Sequence, residues 1–203
     1  MFSTVILNRA LRSRWGVFVL ILVSVVSLAY NYRPVRSALR LIYYSEVLGT
    51  PLIQEVPRRP FDCRYIPPER RMVAIALGQS NAANFGDTRS RSRRGVFSFY
   101  DGQCYAAEDP MPGANGAGGS VWPLLGDELI RRGAYQTVIF ITVAFGGTSI
   151  SEWAPGTSHH ARFLSAARQA HAAGLRVSHL LWHQGERDSW LATSDKDYVA
   201  VFQ

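Results

Sequence analysis

From Met72 onward the chain alternates short apolar runs with stretches of helical spacing. Met72–Leu77, Thr137–Ala144 and Val177–Trp182 are runs of strand length, the mark of strands buried on both faces. Between them, Pro123–Arg132 sets Leu124, Leu125, Leu129 and Ile130 on one helical face, and Gly133 stops it. The Ala-rich His160–Ala173 ends at Gly174, a glycine placed to take a left-handed cap. A last helical pattern runs through Tyr198, Val199, Val201 and Phe202. Strands alternating with helices predict an α/β fold, with a parallel sheet covered on both faces.

Each apolar run ends in a polar, Gly-containing turn. Met72–Leu77 runs into Gly78-Gln79-Ser80-Asn81, Thr137–Ala144 leads to Gly146-Gly147-Thr148-Ser149, and the third run to His183-Gln184-Gly185-Glu186. The C-terminal edge of an open parallel sheet is where ligands bind, so the pattern predicts that these turns converge on one site. A serine on a tight strand-to-helix turn is exposed, with backbone N–H groups and a helix start nearby to favour developing negative charge. On its own Ser80 also reads as a helix N-cap. Gly146 and Gly147 allow close backbone approach, and the Gln184 amide offers a further donor to an oxyanion. Glu186 and Asp188 read either as groups that orient these donors or contact substrate, or as solvated loop acids.

Upstream the texture differs. Gly16–Tyr30 carries no charge and spans about 22 Å as a helix, against about 30 Å for a bilayer core. Trp15, Asn31 and Tyr32 extend it, and Arg9, Arg12 and Arg14 before it and Arg33, Arg36 and Arg40 after it suit a membrane interface. Residues 1–32 are therefore expected to be a membrane anchor or signal sequence. The domain is then outside the cytoplasm, or secreted if cleavage follows Ala29. Residues 33–71 read as a Pro/Arg-rich tether, with a short helix over Ser37–Leu48, and residues 72–203 as the folded domain.

Charge sharpens this division. Of the net +7, all falls in residues 1–71, which hold 11 arginines and 4 acids, while the remainder balances. A neutral folded domain excludes a nucleic-acid binder. Hydrophobic residues at 47% and charged residues at 18% exclude a disordered chain. The cysteine content, 2 residues, excludes a disulfide scaffold, but in an oxidising compartment Cys63 and Cys104 are expected to pair and pin the tether to the domain. Otherwise they are two buried thiols. Arg89, Arg91, Arg93 and Arg94 form a basic loop, read as solvated or as attracting an acidic glycan. Trp153, Trp182 and Trp190 read as core first and sugar platforms second. His159 and His160 read as surface residues, and no chelating spacing with Glu152 supports a metal site.

Taken together, the three polar blocks, with Ile150, Trp153, Trp182, Arg187 and Asp188, resemble the sialate O-acetylesterase-type domain, the carbohydrate acetylesterase branch of the SGNH hydrolases. The resemblance covers Met72 to Gln203 and implies a flavodoxin-like three-layer α/β/α sandwich. It implies Ser80 as nucleophile, with the Ser80 and Gly147 N–H groups and the Gln184 side chain as the oxyanion hole. Gln79, Asn81, Gly146 and Glu186 would meet substrate. The implied reaction removes O-acetyl groups from a sugar or polysaccharide through an acetyl-serine, with no metal or other cofactor. The implied partners are the acetylated glycan and, through the N-terminal helix, a membrane. His183 takes the place of a structural histidine. The family's Asp-x-x-His block, which supplies the base, has no counterpart up to Gln203, so the domain is expected to be C-terminally incomplete and inactive or barely active, a glycan-binding pseudoenzyme or an inactive fragment.

Overall fold

A computed structural model of the protein describes residues 58–203, and Ser27 upstream of them. The expected anchor (Ser27 apart) and the tether through residue 57 lie outside the described residues. Among the described residues no helix is long and apolar enough to cross a membrane.

In chain order the elements are β1 (Arg71–Gly78), β2 (Val96–Tyr100), β3 (Gln103–Ala106), α1 (Trp122–Arg131), β4 (Thr137–Ala144), α2 (Ser158–Ala172), β5 (His179–His183), α3 (Glu186–Leu191) and α4 (Asp195–Phe202). The strands form one sheet in the order β3-β2-β4-β1-β5. At its centre β1 runs parallel to β4, from Arg71↔Thr137 to Gly78↔Ala144, and parallel to β5, from Ala74↔His179 to Gly78↔His183.

The period-2 geometry of strands sends alternate residues of each apolar run into different layers. Val73, Ile75 and Leu77, with Ile139, Ile141 and Val143, pack on one face under Phe163, Ala166, Ala167 and Ala170 of α2. Met72, Ala74 and Ala76, with Val138 and Phe140, pack on the other face against Trp122, Leu129 and Ile130 of α1. Covered on both faces, β1 and β4 need no polar alternation, and helix, sheet and helix make the three layers.

Several details depart from the sequence expectation. The sheet is not purely parallel, because β3 turns back antiparallel on β2 at one edge. The turn of this hairpin is Asp101-Gly102, with φ of 48° and 77°. Asp-Gly is a strong hairpin signal, since both positions favour the left-handed backbone such a turn demands. The third apolar run is not buried on both faces either. It forms β5 at the opposite edge, where Leu180 is 59% exposed. Helix α1 keeps Leu129 and Ile130 inward but not Leu124 and Leu125: Leu124 is 59% exposed, while Trp122, Pro123 and Gly126 are buried. The reason is contact distance. A Cβ at Gly126 would stand 2.6 Å from both γ-carbons of Val96, so only glycine lets α1 sit this close to the sheet.

The end of the segment read as tether belongs to the core. Cys63 and Ile66 are buried in the α2-side cluster. Cys63 is joined to Cys104 on β3 by a disulfide 41 residues apart in sequence. Phe61 and Cys104 exchange backbone hydrogen bonds of 2.9 and 3.1 Å, which pairs part of the sheet's outer edge. Closing a loop of this length contributes about 4 kcal/mol by chain-entropy reasoning.

Gly126→Ala tests the close approach. Alanine gains about 1 kcal/mol of helix propensity, but overpacking against Val96 costs more, so a net loss of about 1–2 kcal/mol is expected. The measurement is the urea midpoint at unchanged slope; a variant as stable as the parent would show that α1 has room to spare.

Candidate active site

Three turns leave the same edge of the sheet side by side, because Gly78 is in register with both Ala144 and His183. Gly78 has φ of 139°, and a Cβ there would lie 2.0 Å from the His183 carbonyl oxygen. Glycine is thus what lets β1 turn away while staying in contact with β5. The Gln79 N–H then donates to the His183 carbonyl at 3.1 Å, and the Phe145 N–H donates to the Gly78 carbonyl at 2.9 Å. Past Ser80 the chain makes a compact turn, in which Ala82 and Ala83 both donate to the Gln79 carbonyl, at 2.9 and 3.0 Å. No helix follows, so Ser80 is neither an N-cap nor set at the positive end of a helix dipole.

The half-buried Ser80 hydroxyl makes no hydrogen bond to another described residue. The Ser80 and Gly147 N–H groups likewise have no acceptor among the described residues. Gly147, with φ of 79°, follows Gly146, whose own N–H is held by Asn115 Oδ1 at 2.8 Å. Gly146 therefore anchors its turn instead of offering a donor.

Gln184 has a different task from the one its position suggests. Its Nε2 donates to Thr148 O at 2.9 Å and Asp188 Oδ2 at 2.5 Å, and lies 3.2 Å from Gln79 Oε1. Its Oε1 accepts from the Tyr198 hydroxyl at 2.7 Å. With both ends committed, this amide ties the three turns together and has no hydrogen to spare for an oxyanion. Gln79 is held differently. It is 4% exposed, and its Oε1 accepts from the Arg187 N–H at 3.1 Å and faces Gln184 Nε2. That fixes the amide orientation and leaves Gln79 Nε2 without an acceptor among the described residues.

The supporting network centres on the buried Asp188, with Tyr198 half-buried and Asn81 and Glu186 exposed at its rim. Asp188 accepts from the Ile150 N–H at 2.8 Å and from Thr193 Oγ1 at 2.9 Å, besides Gln184. Tyr198 accepts from Trp182 Nε1 at 2.9 Å, and burial pushes its phenol pKa up. Asn81 and Glu186 hold each other, with the Asn81 amide donating to Glu186 Oε1. The same oxygen lies 3.7 Å from His183 Nε2.

Two residues that pattern reading missed shape this rim. Asn84 is fully buried; its amide donates to Met111 O at 2.9 Å and Ala114 O at 3.0 Å, and its Oδ1 accepts from the Met111 N–H at 2.7 Å. Asn115 clamps Gly146, as above. Neither sits in a periodic run; the only signal was a polar residue amid Ala and Gly.

Other expectations shift with the tertiary setting. His159 is not a surface residue. Its ring stacks on Phe145 at 4.4 Å and tilts against Trp153 at 5.2 Å, with Nδ1 buried and unpartnered. Desolvation holds its pKa below the ordinary imidazole value; Glu152 opposes this and Arg162 reinforces it. Within the basic loop, Arg89 bonds Ala117 O at 2.8 Å and Arg91 pairs with Glu108 at 3.2 Å. Trp153 and Trp182 pack edge to face at 5.3 Å, and Trp190 lies under Arg187 at 4.9 Å. Among the described residues no group of three or more His, Cys, Asp or Glu is placed to hold a metal.

Residues 70–203 match the family model described as carbohydrate esterase, sialic acid-specific acetylesterase. Among solved structures, the chain is similar to an Arabidopsis thaliana protein determined by X-ray crystallography at 1.6 Å resolution, with 19% identity and a TM-score of 0.47. That match covers 60% of this chain and 59% of the Arabidopsis chain, so the present chain spans about three-fifths of its length. Comparison with curated proteins finds no match.

The buried imidazole gives a pH prediction. His159 has a folded-state pKa below its unfolded value, so the unfolded chain binds the proton first as pH falls. Stability contributed by neutral His159 is present above the unfolded pKa of about 6.5 and declines below it. The urea midpoint is expected to drop between about pH 7 and about pH 5, and His159→Phe to remove part of that drop. An unchanged pH profile in the variant would contradict this.

Proposed function

We propose, for a chain that belongs to the carbohydrate esterase, sialic acid-specific acetylesterase family, that Ser80 is the nucleophile of a serine esterase removing O-acetyl groups from sugars. The observation that carries this reading is the unclaimed donor set beside an unclaimed hydroxyl. The Ser80 and Gly147 N–H groups and Gln79 Nε2 belong to two adjoining turns on one rim, and none is spent on the protein's own described acceptors. Ser80 and Gly147 are half-buried, so these donors are open to an incoming ligand oxygen.

In the reaction, Ser80 Oγ attacks the acetyl carbonyl carbon and passes its proton to a base. The carbonyl oxygen gains negative charge and meets the three donors, whose orientations are already fixed. Collapse breaks the bond to the sugar oxygen, which takes back the proton held by the base and leaves as a hydroxyl, and acetyl-Ser80 remains. Water then repeats the sequence and releases acetate. Preorganised donors of this kind contribute about 10²–10³-fold each to the rate.

Among the described residues no imidazole is hydrogen-bonded to Ser80, and His159 packs against Phe145 and Trp153 instead. This favours the second reading, glycan binding with only residual turnover, for these residues acting alone. A base delivered to the rim turns the same architecture into an esterase. The disulfide supports an oxidising compartment. Together with the apolar segment over Gly16–Tyr30 it supports a tethered or exported enzyme outside the cytoplasm.

The test uses p-nitrophenyl acetate with added imidazole as a surrogate base. The expected result is chain-dependent turnover above imidazole's own hydrolysis of the ester, and an acetylated Ser80 peptide, both lost in Ser80→Ala. Gln79→Glu keeps the Oε1 acceptor but removes the donor, and is expected to lower kcat/KM about 100-fold. Gln184→Ala should act chiefly by lowering the melting temperature. Equal rates for the parent and Ser80→Ala at every imidazole concentration would remove Ser80 as nucleophile.

A further inference from the structure

The edge of the sheet opposite the rim gathers the N-terminal ends of the parallel strands, and arginine recurs along it. Arg70 and Arg71 open β1, Arg93 and Arg94 stand just before Val96 of β2, and Arg176 precedes β5. Backbone hydrogen bonds fix these positions on a common edge. The Gln136 N–H donates to the Arg70 carbonyl at 2.9 Å, the Val138 N–H to the Gly95 carbonyl at 3.0 Å, and the Ser178 N–H to the Val73 carbonyl at 2.9 Å. The C-terminus of α1 adds Arg131 and Arg132, and Arg70 Nη2 donates to the carbonyl of Gly133 just beyond.

The charge of this edge is largely uncompensated. None of Arg70, Arg71, Arg93, Arg94 and Arg176 enters an ion pair among the described residues. The neighbouring acids are spent elsewhere: Glu128 on Arg131 and Arg132, Glu108 on Arg91, and Asp127 on Ser92 Oγ and the Arg93 N–H. That leaves Glu69 against the unpaired arginines. The helix dipole accounts for arginines at the end of α1, but strand starts offer no such dipole. The turns of the rim carry acids instead, Glu152, Glu186 and Asp188. A domain of little net charge is thus basic at one end and acidic at the other, and its field orients it against a charged surface.

An aromatic ring stands with the arginines. Tyr65 is 83% exposed. The residues after it meet the basic edge, where the Ile66 carbonyl accepts from Arg71 Nη1 at 3.1 Å and the Pro67 carbonyl from Thr137 Oγ1 at 3.4 Å. Arginine with exposed tyrosine is the composition of a lipid headgroup interface.

We propose that this edge rests on an anionic lipid bilayer, with the arginines on headgroup phosphates and the Tyr65 ring in the interface. β1 is 8 residues long, or roughly 26 Å. The rim is then held beyond the screening length of about 8 Å and faces away from the bilayer. The identification of the surface as a bilayer rests on the tethered reading of the chain; the charge and direction of the edge rest on the fold alone and not on the esterase chemistry.

The experiment adds the full chain to phosphatidylcholine vesicles made with and without phosphatidylglycerol. A fluorophore sits at Ala134→Cys on the basic edge or at Ser151→Cys on the opposite one, and a lipid with a nitroxide headgroup serves as quencher. The expected result is quenching of the Ala134→Cys label only, in phosphatidylglycerol vesicles only, and lost as salt rises. Arg93→Gln with Arg94→Gln should lower the docked-to-undocked ratio about 30-fold at an unchanged melting temperature. Arg176→Gln gives a second variant should that pair misfold. Equal quenching in the two vesicle types, or full quenching in a folded arginine variant, overturns the proposal. So does tighter binding to a DNA duplex than to the anionic vesicles. Salt-resistant association with the Ala134→Cys label unquenched removes the docking edge and upholds the tethered reading. Association with anionic vesicles alone, fully reversed by salt, upholds the docking edge and removes the tethered reading.

Discussion

The parallel pairing of β1 with β4 and β5 is the constraint on which the site depends. In a parallel sheet all C-terminal strand ends fall on one edge, so three turns far apart in sequence become neighbours without any contact among their side chains. Gly78 sits where the three meet. Its missing Cβ is what the His183 carbonyl occupies, and its own carbonyl receives the Phe145 N–H. A side chain there would push β1 and β5 apart and move the Ser80 turn with them.

On this frame the polar residues divide into two kinds. Gln184, Asp188, Tyr198, Asn84 and Asn115 spend their hydrogen bonds on the protein and hold the turns at fixed separations. The Ser80 and Gly147 N–H groups and Gln79 Nε2 are left over. In the proposed reaction the first kind makes the second useful, because a donor stabilises developing charge only if it need not reorganise when the charge appears. Gln79 belongs to both kinds at once: its oxygen is held so that its nitrogen is aimed.

Support is uneven across the molecule. β1 and β4 are buried throughout, whereas β5 alternates between half-buried and exposed positions and α4 buries no residue fully. Segments with little buried apolar surface open at lower free energy than the core. The turn carrying Gln184 therefore stands on the less stable side of the site, and it is tied to the neighbouring turns by Gln184 to Thr148, by Asp188 to Ile150, and by Arg187 and His183 to Gln79.

Sequence alone determined the three-layer α/β architecture, the central strands and the three polar blocks, because these follow from local periodicity and from residues adjacent in the chain. It also held the Asp101-Gly102 hairpin signal, which a search for long apolar runs passes over, since β2 and β3 are short and contain Ser98 and Gln103. What periodicity could not decide is how each amide is spent. Gln79 and Gln184 are the same residue type on neighbouring turns, and only the acceptors around them make one a free donor and the other a tie. The inward face of α1 differs from the periodic reading at Leu124 and Leu125 for a like reason: Gly126 wins over Leu124 because helix and sheet approach to contact distance, a property of the assembled layers. Hydrogen-bond partners and contact distances join residues remote in the chain, so they exist only once the fold has brought those residues together.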